Sequence, residues 1–237
     1  LVSENKKVII YDTFWYGQPK DLFFDIENKI KIVKADIRDL NSFEIAIKNN
    51  DVDCVIHLAC VSNDPSYELN PDLGKSINYD CFENLVKISK ENGVKRFIYA
   101  SSSSVYGIKD EDQVTEDLSL EPLTDYSKYK ALCEEILQKY IDKNFVGMIV
   151  RPATVCGFSK RLRLDLSVNI LTSHAYFKNK ITIFGGEQYR PNLNIQDMIQ
   201  FYVESLTYES NLINGEIFNV GYENLKIKDI ADKVKAI

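Results

Sequence analysis

The chain has 237 residues, of which 45% are hydrophobic, and this suffices for one globular domain or a domain with a small appended lobe. A formal net charge of -6 and a pI near 5.1 argue against a nucleic-acid surface, because phosphate binding needs clustered Lys and Arg. No stretch approaches the ~18 consecutive apolar residues of a membrane span, and the first residues do not resemble a signal peptide, so we expect a cytoplasmic protein.

The five cysteines are odd in number and scattered along the chain, without Cys-x-x-Cys spacing. This pattern suggests neither a disulfide framework nor a zinc site. We therefore predict reduced thiols and no metal.

Short apolar runs rich in Val, Ile and Phe alternate along the chain with longer segments of helical period. In order, the runs are KKVIIYD, KIKIVKAD, VDCVIHLA, VKRFIYAS and NFVGMIV. Nearly continuous hydrophobic strands spaced by helices are typical of a parallel sheet that is buried on both faces. The sequence therefore predicts an α/β fold with a doubly wound, parallel, Rossmann-like sheet.

Two predicted helices have clear limits. One spans about 72 to 92 and ends at Gly93, and the other spans about 124 to 143, with Thr124 or Asp125 as its N-cap. After Pro152 the pattern loosens into the short pieces ITIF, NLNI and EIFNV. We therefore expect a dinucleotide-binding domain over residues 1–152 and a smaller substrate-binding lobe over residues 153–237, which partly returns to the sheet.

The first predicted strand ends in Asp12. In a dinucleotide-binding unit, an acid at the end of the second strand binds the adenosine ribose. The first glycine is Gly17, so no glycine-rich turn precedes Asp12. Two interpretations stay open: the first strand and phosphate loop of such a unit are missing, or Asp12 is a solvated turn residue.

Tyr126 and Lys130 lie four residues apart within a predicted helix, so their side chains share one face. A nearby ammonium favours the phenolate of a tyrosine, which can then accept a proton. The spacing alone is weakly specific, because it also occurs at Tyr16, Tyr176 and Tyr222.

Four serines follow a buried strand in YASSSSVYG, residues 99 to 107. Side chains at the carboxyl end of a parallel strand face the ligand crevice, so one hydroxyl could meet a substrate oxygen that Tyr126 also contacts. Alternatively, the segment is a polar strand terminus beside a surface helix.

An ordered set of motifs resembles the extended short-chain dehydrogenase/reductases that act on nucleotide sugars, the epimerase/dehydratase family. The motifs are Asp12, KADIRDL, HLAC, YASSSSVYG, YSKYK, RPATVCG and RPNLNIQDM. The resemblance covers nearly the whole chain and is closest to the sugar 4-epimerases. It implies NAD as the cofactor and a Ser102, Tyr126 and Lys130 catalytic triad.

The resemblance also implies binding residues. Those expected near the cofactor are Asp12, Asp36, Ile37, Leu58, Ala59, Cys60, Asn78, Tyr126, Lys130 and Pro152. Those expected near the nucleotide sugar are Ser62, Ser103, Thr154, Asn169 and Arg190. Two alternatives remain open: a local cap or bridge for Asn78, and an exposed helix position for Asn169. We interpret His57, which lies in an apolar run, as a core histidine.

The reaction implied is epimerisation at sugar carbon 4. The sugar 4,6-dehydratases of this superfamily carry Asp and Glu after the catalytic hydroxyl, whereas this chain has Ser103 and Ser104. Two departures make the sugar uncertain: Thr154 replaces an asparagine of the family, and VSNDPS follows HLAC. A UDP-sugar substrate and a homodimer are implied by the resemblance.

Other functions stay open at this point. The same triad serves nucleotide-sugar reductases, dehydrogenases and decarboxylases, which would consume or need added cofactor. A non-catalytic nucleotide-binding relative is disfavoured by the intact triad. Without a phosphate loop, we expect the chain as given to retain NAD poorly and to show little activity.

Overall fold

A computed structural model describes residues 1–62, 64–111 and 113–237 of the chain. These residues form two compact units. Unit 1 comprises Leu1–Val150 with Tyr208–Phe218, and unit 2 comprises Arg151–Thr207 with Asn219–Ile237.

The first five strands of the described residues lie in the five predicted apolar runs. They are β1 (Val8–Asp12), β2 (Ile30–Lys34), β3 (Cys54–His57), β4 (Arg96–Ala100), β5 (Val146–Pro152), β6 (Thr154–Cys156), β7 (Tyr189–Asn194), β8 (Ile217–Val220) and β9 (Glu223–Lys226). The sheet orders are β1-β2, β3-β4-β5-β8 and β6-β7-β9. The α/β class with a parallel sheet is confirmed.

Parallel pairing sets the register of the first two sheets. Val8 lies opposite Ile30 in β1 and β2, while Arg96 of β4 lies between Cys54 of β3 and Val146 of β5. In the described part of the chain, β1 pairs only with β2, and β3 only with β4.

The helices vary widely in length. They are α1 (Pro19–Phe23), α2 (Leu40–Lys48), α3 (Asp64–Leu69), α4 (Pro71–Lys75), α5 (Phe82–Glu91), α6 (Asp125–Tyr140), α7 (Ser167–Lys178), α8 (Ile195–Ser205), α9 (Ser210–Ile213) and α10 (Ile227–Ala236). Short 3-10 turns cover Glu27–Lys29 and Ser103–Tyr106, and a π-helical turn covers Ser76–Asp80. Among the described residues, no helix combines the length and the apolar character needed to cross a membrane.

Helices α5 and α6 pack on the sheet of unit 1 around one core. Fully buried members of this core include Leu85 and Val86 of α5, Phe97 of β4, and Cys133 and Leu137 of α6. At ~25 cal/mol per Å² of apolar surface, such side chains supply most of the stabilisation of the unit. The core therefore fixes α6 against β4, the strand that the four serines follow.

The predicted helix over 72 to 92 is present but divided. It consists of α4, the π turn and α5, and it ends as predicted, with Gly93 at a φ of 86°. Extra residues in a π turn leave the regular helical face and often serve functional sites. In α6, Thr124 is the N-cap and exchanges a capping box with Ser127, which settles the choice between Thr124 and Asp125.

Unit 2 is built on β6, β7 and β9, where β6 runs parallel and β9 antiparallel to β7. Its core contains Leu171 of α7 with Ile230 and Ala231 of α10. The apolar piece ITIF forms no strand: Phe184 is exposed, and the segment pairs with no strand of the described residues. The glycines that follow it form a turn.

Candidate active site

Lys130 is the best-defined polar residue of the site. Its side chain is only 3% exposed, and its Nζ donates a hydrogen bond of 2.6 Å to the carbonyl oxygen of Ala100, the last residue of β4. The same Nζ lies 5.0 Å from the ring centre of Tyr99 and 5.9 Å from that of Tyr126. The structure therefore brings Tyr126 and Lys130 together at the end of the serine strand.

The surroundings of Lys130 keep it charged. Burial opposes the charge on the ammonium, but Cys60, Tyr126 and Cys133 favour it, and the pKa of Lys130 lies above its ordinary value. A permanent positive charge beside a phenol stabilises the phenolate. Lys130 can thus support Tyr126 as a base at neutral pH.

The four serines have different partners. Ser101 is buried, and its hydroxyl donates to the carboxylate of Glu134 on α6. Ser102 is half-buried and caps the following 3-10 turn, accepting from the backbone N–H of Ser104 at 3.2 Å, and the two hydroxyls lie 2.9 Å apart. Ser103 begins that turn. The hydroxyl of Ser101 therefore joins the strand end to α6, and that of Ser102 caps the turn that follows.

Gly107 ends this turn in a conformation that other residues rarely adopt. Its φ is 73°, and a Cβ added there would collide with the carbonyl oxygen of Glu121. The glycine of the VYG motif is therefore required by the backbone that follows Ser102.

The cofactor candidate Asp12 is the last residue of β1, and Asp36 lies two residues after the end of β2. One oxygen of the exposed Asp12 carboxylate accepts from the N–H of Phe14 at 2.6 Å. The guanidinium of Arg38 binds both oxygens of Asp36 and lowers the pKa of that carboxyl, while Ile37 beside it is buried in the core. Asp12 thus retains acceptor capacity, whereas Asp36 is already engaged.

The turn after β3 contains Leu58, Ala59 and Cys60, and Leu58 is exposed. Val61, the residue after Cys60, forms two hydrogen bonds with the side chain of Asn78 in the π turn. The Oδ1 of Asn78 accepts from the N–H of Val61 at 2.8 Å, and its Nδ2 donates to the carbonyl of Val61 at 3.0 Å. Asn78 therefore holds the shape of this turn. The bond joins residues 17 apart in the sequence, and the role of Asn78 near the cofactor stays a prediction.

The candidates for the nucleotide sugar divide between the units. Ser62 and Ser103 are half-buried residues of unit 1, and Asn63 lies outside the described residues. In unit 2, Thr154 is half-buried and Arg190 is exposed, and Pro152, a candidate for the cofactor, is half-buried.

Asn169 links two segments of unit 2. Its Oδ1 accepts from the N–H of Gly157 at 3.1 Å, and its Nδ2 donates to the carbonyl of Arg163 at 2.8 Å. The side chain of Arg163 in turn pairs with Asp165 at 2.6 Å. Asn169 is therefore half-buried and structurally engaged, rather than a freely exposed helix residue.

His57 and Glu134 are two further buried polar residues of unit 1. His57 is buried against the rings of Phe82, Phe97 and Tyr99, and burial, together with the charge of Lys130, lowers its pKa to about 3. It is a core histidine, as interpreted from the sequence. Glu134 was missed, although its position four residues after Lys130 on the same helical face was visible in the sequence.

The described residues fit NAD at its ribose hydroxyls and its nicotinamide end. Asp12 offers an exposed carboxylate oxygen to a ribose, and the Lys130 ammonium lies beside Tyr126 at the end of β4. Hydrogen bonds in which one partner is charged, such as a carboxylate or an ammonium, are stronger than neutral ones.

Known proteins are similar to this chain in sequence and in fold. UDP-glucose 4-epimerase of Lactobacillus helveticus is 27% identical over 258 residues, which include 100% of this chain and 77% of the relative. The structure of UDP-glucose 4-epimerase with UDP-glucose from Thermotoga maritima has a TM-score of 0.85 at 21% identity, over 100% of this chain and 76% of that one. Bordetella bronchiseptica WbmG with NAD and UDP has a TM-score of 0.82 at 20% identity, over 99% and 71% of the two chains.

The structural likenesses show that the fold is Rossmann-like. A family model described as the NAD dependent epimerase/dehydratase family matches residues 1–221, which is most of the chain. The chain therefore belongs to the NAD-dependent epimerase/dehydratase family.

Proposed function

We propose that the protein is a nucleotide-sugar 4-epimerase that oxidises sugar carbon 4 transiently and then reduces it again. The observation that carries this proposal is the placement of Tyr126 and Lys130 against the end of the strand that leads to Ser102. The sequence relatives and the family membership support the same reaction class.

Tyr126 acts as the base in this proposal. The charge of Lys130 favours its phenolate, which removes the proton from the hydroxyl at carbon 4 and later returns it. NAD, when bound, would supply the acceptor for the hydride of carbon 4 and the donor that returns it. Lys130 and Asp12 are the residues that we assign to the two riboses of this cofactor.

Ser102 positions the reacting oxygen. A serine hydroxyl has one proton to donate and two lone pairs that accept. Ser104 offers its backbone N–H to Ser102 and lies within hydrogen-bond distance of it through its own hydroxyl. When the Ser104 hydroxyl is the donor in the second contact, Ser102 has its proton available for the sugar oxygen.

Dehydration is disfavoured by the residues that follow Ser102. Loss of water from carbons 5 and 6 needs an acid and a base, and Ser103 and Ser104 supply neither at neutral pH. We therefore favour a reaction that begins and ends with the same oxidation state of the sugar.

We assign the nucleoside diphosphate to unit 2. The exposed guanidinium of Arg190 suits phosphate oxygens, and Thr154 and Asn169 lie in the same unit. Ser62 and Ser103 are the candidates for the sugar hydroxyls. The structural neighbours that hold UDP or UDP-glucose support a UDP-sugar as substrate. A cytoplasmic homodimer stays a prediction.

The test is proton NMR of the full-length protein with a panel of UDP-sugars and no added cofactor. We expect the signal of the 4-epimer to appear, because NAD is regenerated in every cycle. Turnover only after NADH or NADPH is supplied would contradict the proposal and indicate a reductase.

A further inference from the structure

One face of α6 contacts the end of β4 at two successive residues. Tyr126, Lys130 and Glu134 follow one another at intervals of four, so they share this face. Lys130 donates to the carbonyl of Ala100, and Glu134 accepts from the hydroxyl of Ser101. The two contacted residues, Ala100 and Ser101, directly precede Ser102.

The bond between Ser101 and Glu134 is buried. Each of the two residues is 4% exposed. Hydrogen bonds to a carboxylate are stronger than neutral ones, and a buried group that loses its partner destabilises the structure. The N–H of Ser101 also donates to the carbonyl of Val150 in β5 at 2.8 Å. Ser101 is therefore held through both its backbone and its side chain.

We propose that Glu134 is a positioning residue that acts through Ser101 to keep Ser102 in register with Tyr126. The base lies on α6 and the serine follows β4, so their separation depends on how firmly helix and strand are joined. Glu134 joins them one residue before Ser102, whereas Lys130 joins them two residues before it. This role rests on the proposed function.

A purely structural role makes a different prediction. If Glu134 only stabilised the fold, its loss would lower the melting temperature and leave kcat of the folded enzyme unchanged. A positioning role lowers kcat while KM stays nearly constant, because the substrate still binds but Ser102 is misplaced.

The test compares variants of the full-length enzyme that keep or remove the contact. Ser101→Ala and Glu134→Leu remove it, and Glu134→Gln keeps an acceptor oxygen for Ser101. We expect the first two to lower kcat about 10- to 100-fold, with KM nearly unchanged and Glu134→Gln closer to the parent. Ser89→Ala is the matched control, because Ser89 is fully buried and donates to Leu85 within α5.

The double variant gives a further criterion. If Ser101 and Glu134 act as one unit, Ser101→Ala with Glu134→Leu is no slower than the slower single variant. Additive losses, or a loss in Glu134→Gln as large as in Glu134→Leu, would overturn the assignment.

Hydrogen exchange measured by mass spectrometry provides a readout that needs no turnover. We expect faster exchange in the peptide over residues 99–107 of Ser101→Ala and Glu134→Leu, and unchanged exchange there in Ser89→Ala. Parental exchange and parental kcat in Ser101→Ala would refute the positioning role. If the parent epimerises nothing but exchange still responds, the proposed function fails while the link between α6 and β4 stands.

Discussion

At the residue scale, four tyrosines of the chain have a lysine four residues later, and Tyr126 differs from the other three in the environment of that lysine. Lys20 and Lys180 are exposed, and Lys226 pairs with Glu187 at 2.8 Å. Lys130 is buried and contacts the end of β4. Burial of the lysine is a property of the packed structure, so the spacing in the sequence could not select Tyr126 without the neighbouring motifs.

Tyr126→Phe removes the group that we assign as base. We expect kcat to fall by at least about 10²-fold, because general acid–base catalysis contributes that much or more, with little change in melting temperature. Steady-state kinetics of the folded variant measure this. Tyr140→Phe is the control, since Tyr140 ends the same helix and bonds Glu83 at the surface. Equal rates in both variants would remove Tyr126 from the mechanism.

Lys130→Met removes the charge beside Tyr126 but keeps most of the side-chain volume. Without that charge the phenolate is less favoured, so the rise of kcat/KM with pH should move to higher pH. The pH–rate profile of the variant against that of the parent is the measurement. Profiles that differ only in height, with the same pH dependence, would show that Lys130 does not support ionisation of Tyr126.

At the element scale, the strands and the long helices were predicted because their apolar patterns are local. The first five runs became β1 to β5, and α6 begins directly after its N-cap Thr124, one of the two predicted capping residues. The π turn was not predicted, because the bond of Asn78 to Val61 joins residues that are distant in sequence. Strand β9 was missed because it is short and mostly polar.

Gly107, which ends the turn after Ser102, allows the backbone conformation at this strand end to be tested. Gly107→Ala combines strain at positive φ with a collision against Glu121, so we expect a loss of about 1–3 kcal/mol in the free energy of unfolding. Gly93→Ala is the control, because Gly93 also has positive φ but no atom within 4 Å of an added Cβ. Urea unfolding of both variants gives the comparison. A smaller loss for Gly107→Ala than for Gly93→Ala would contradict the collision.

At the scale of the whole molecule, acid stability should depend on His57. Its pKa is about 3 in the folded chain against 6.5 as the ordinary value, so the unfolded state binds the proton more readily between these values. Folding is then stabilised at neutral pH, and that stabilisation is lost as the pH falls below about 6.5, by about 2 kcal/mol at pH 5.

His57→Gln tests this directly. Urea unfolding at pH 7 and pH 5 should show a smaller loss of stability on acidification for the variant than for the parent, by about 2 kcal/mol. Identical losses for both proteins would show that His57 is protonated in the folded state or does not contribute to acid sensitivity.

The whole-molecule fold followed from the alternation of strands and helices, and the family confirms it. The candidate triad was predicted from ordered motifs, and the structure places Tyr126 and Lys130 together at the end of the strand that leads to Ser102. Glu134 was missed because its spacing from Lys130 does not show that its carboxylate is buried against Ser101. The structure shows it through its bond to Ser101.

The central claim is transient oxidation at carbon 4, and a UDP-sugar carrying deuterium at carbon 4 tests it most directly. The full-length protein should convert this substrate to its 4-epimer with the deuterium retained at carbon 4, since the same hydride leaves and returns. NMR and mass spectrometry report both position and content. Loss of the label to solvent, or a dehydrated product, would contradict the account.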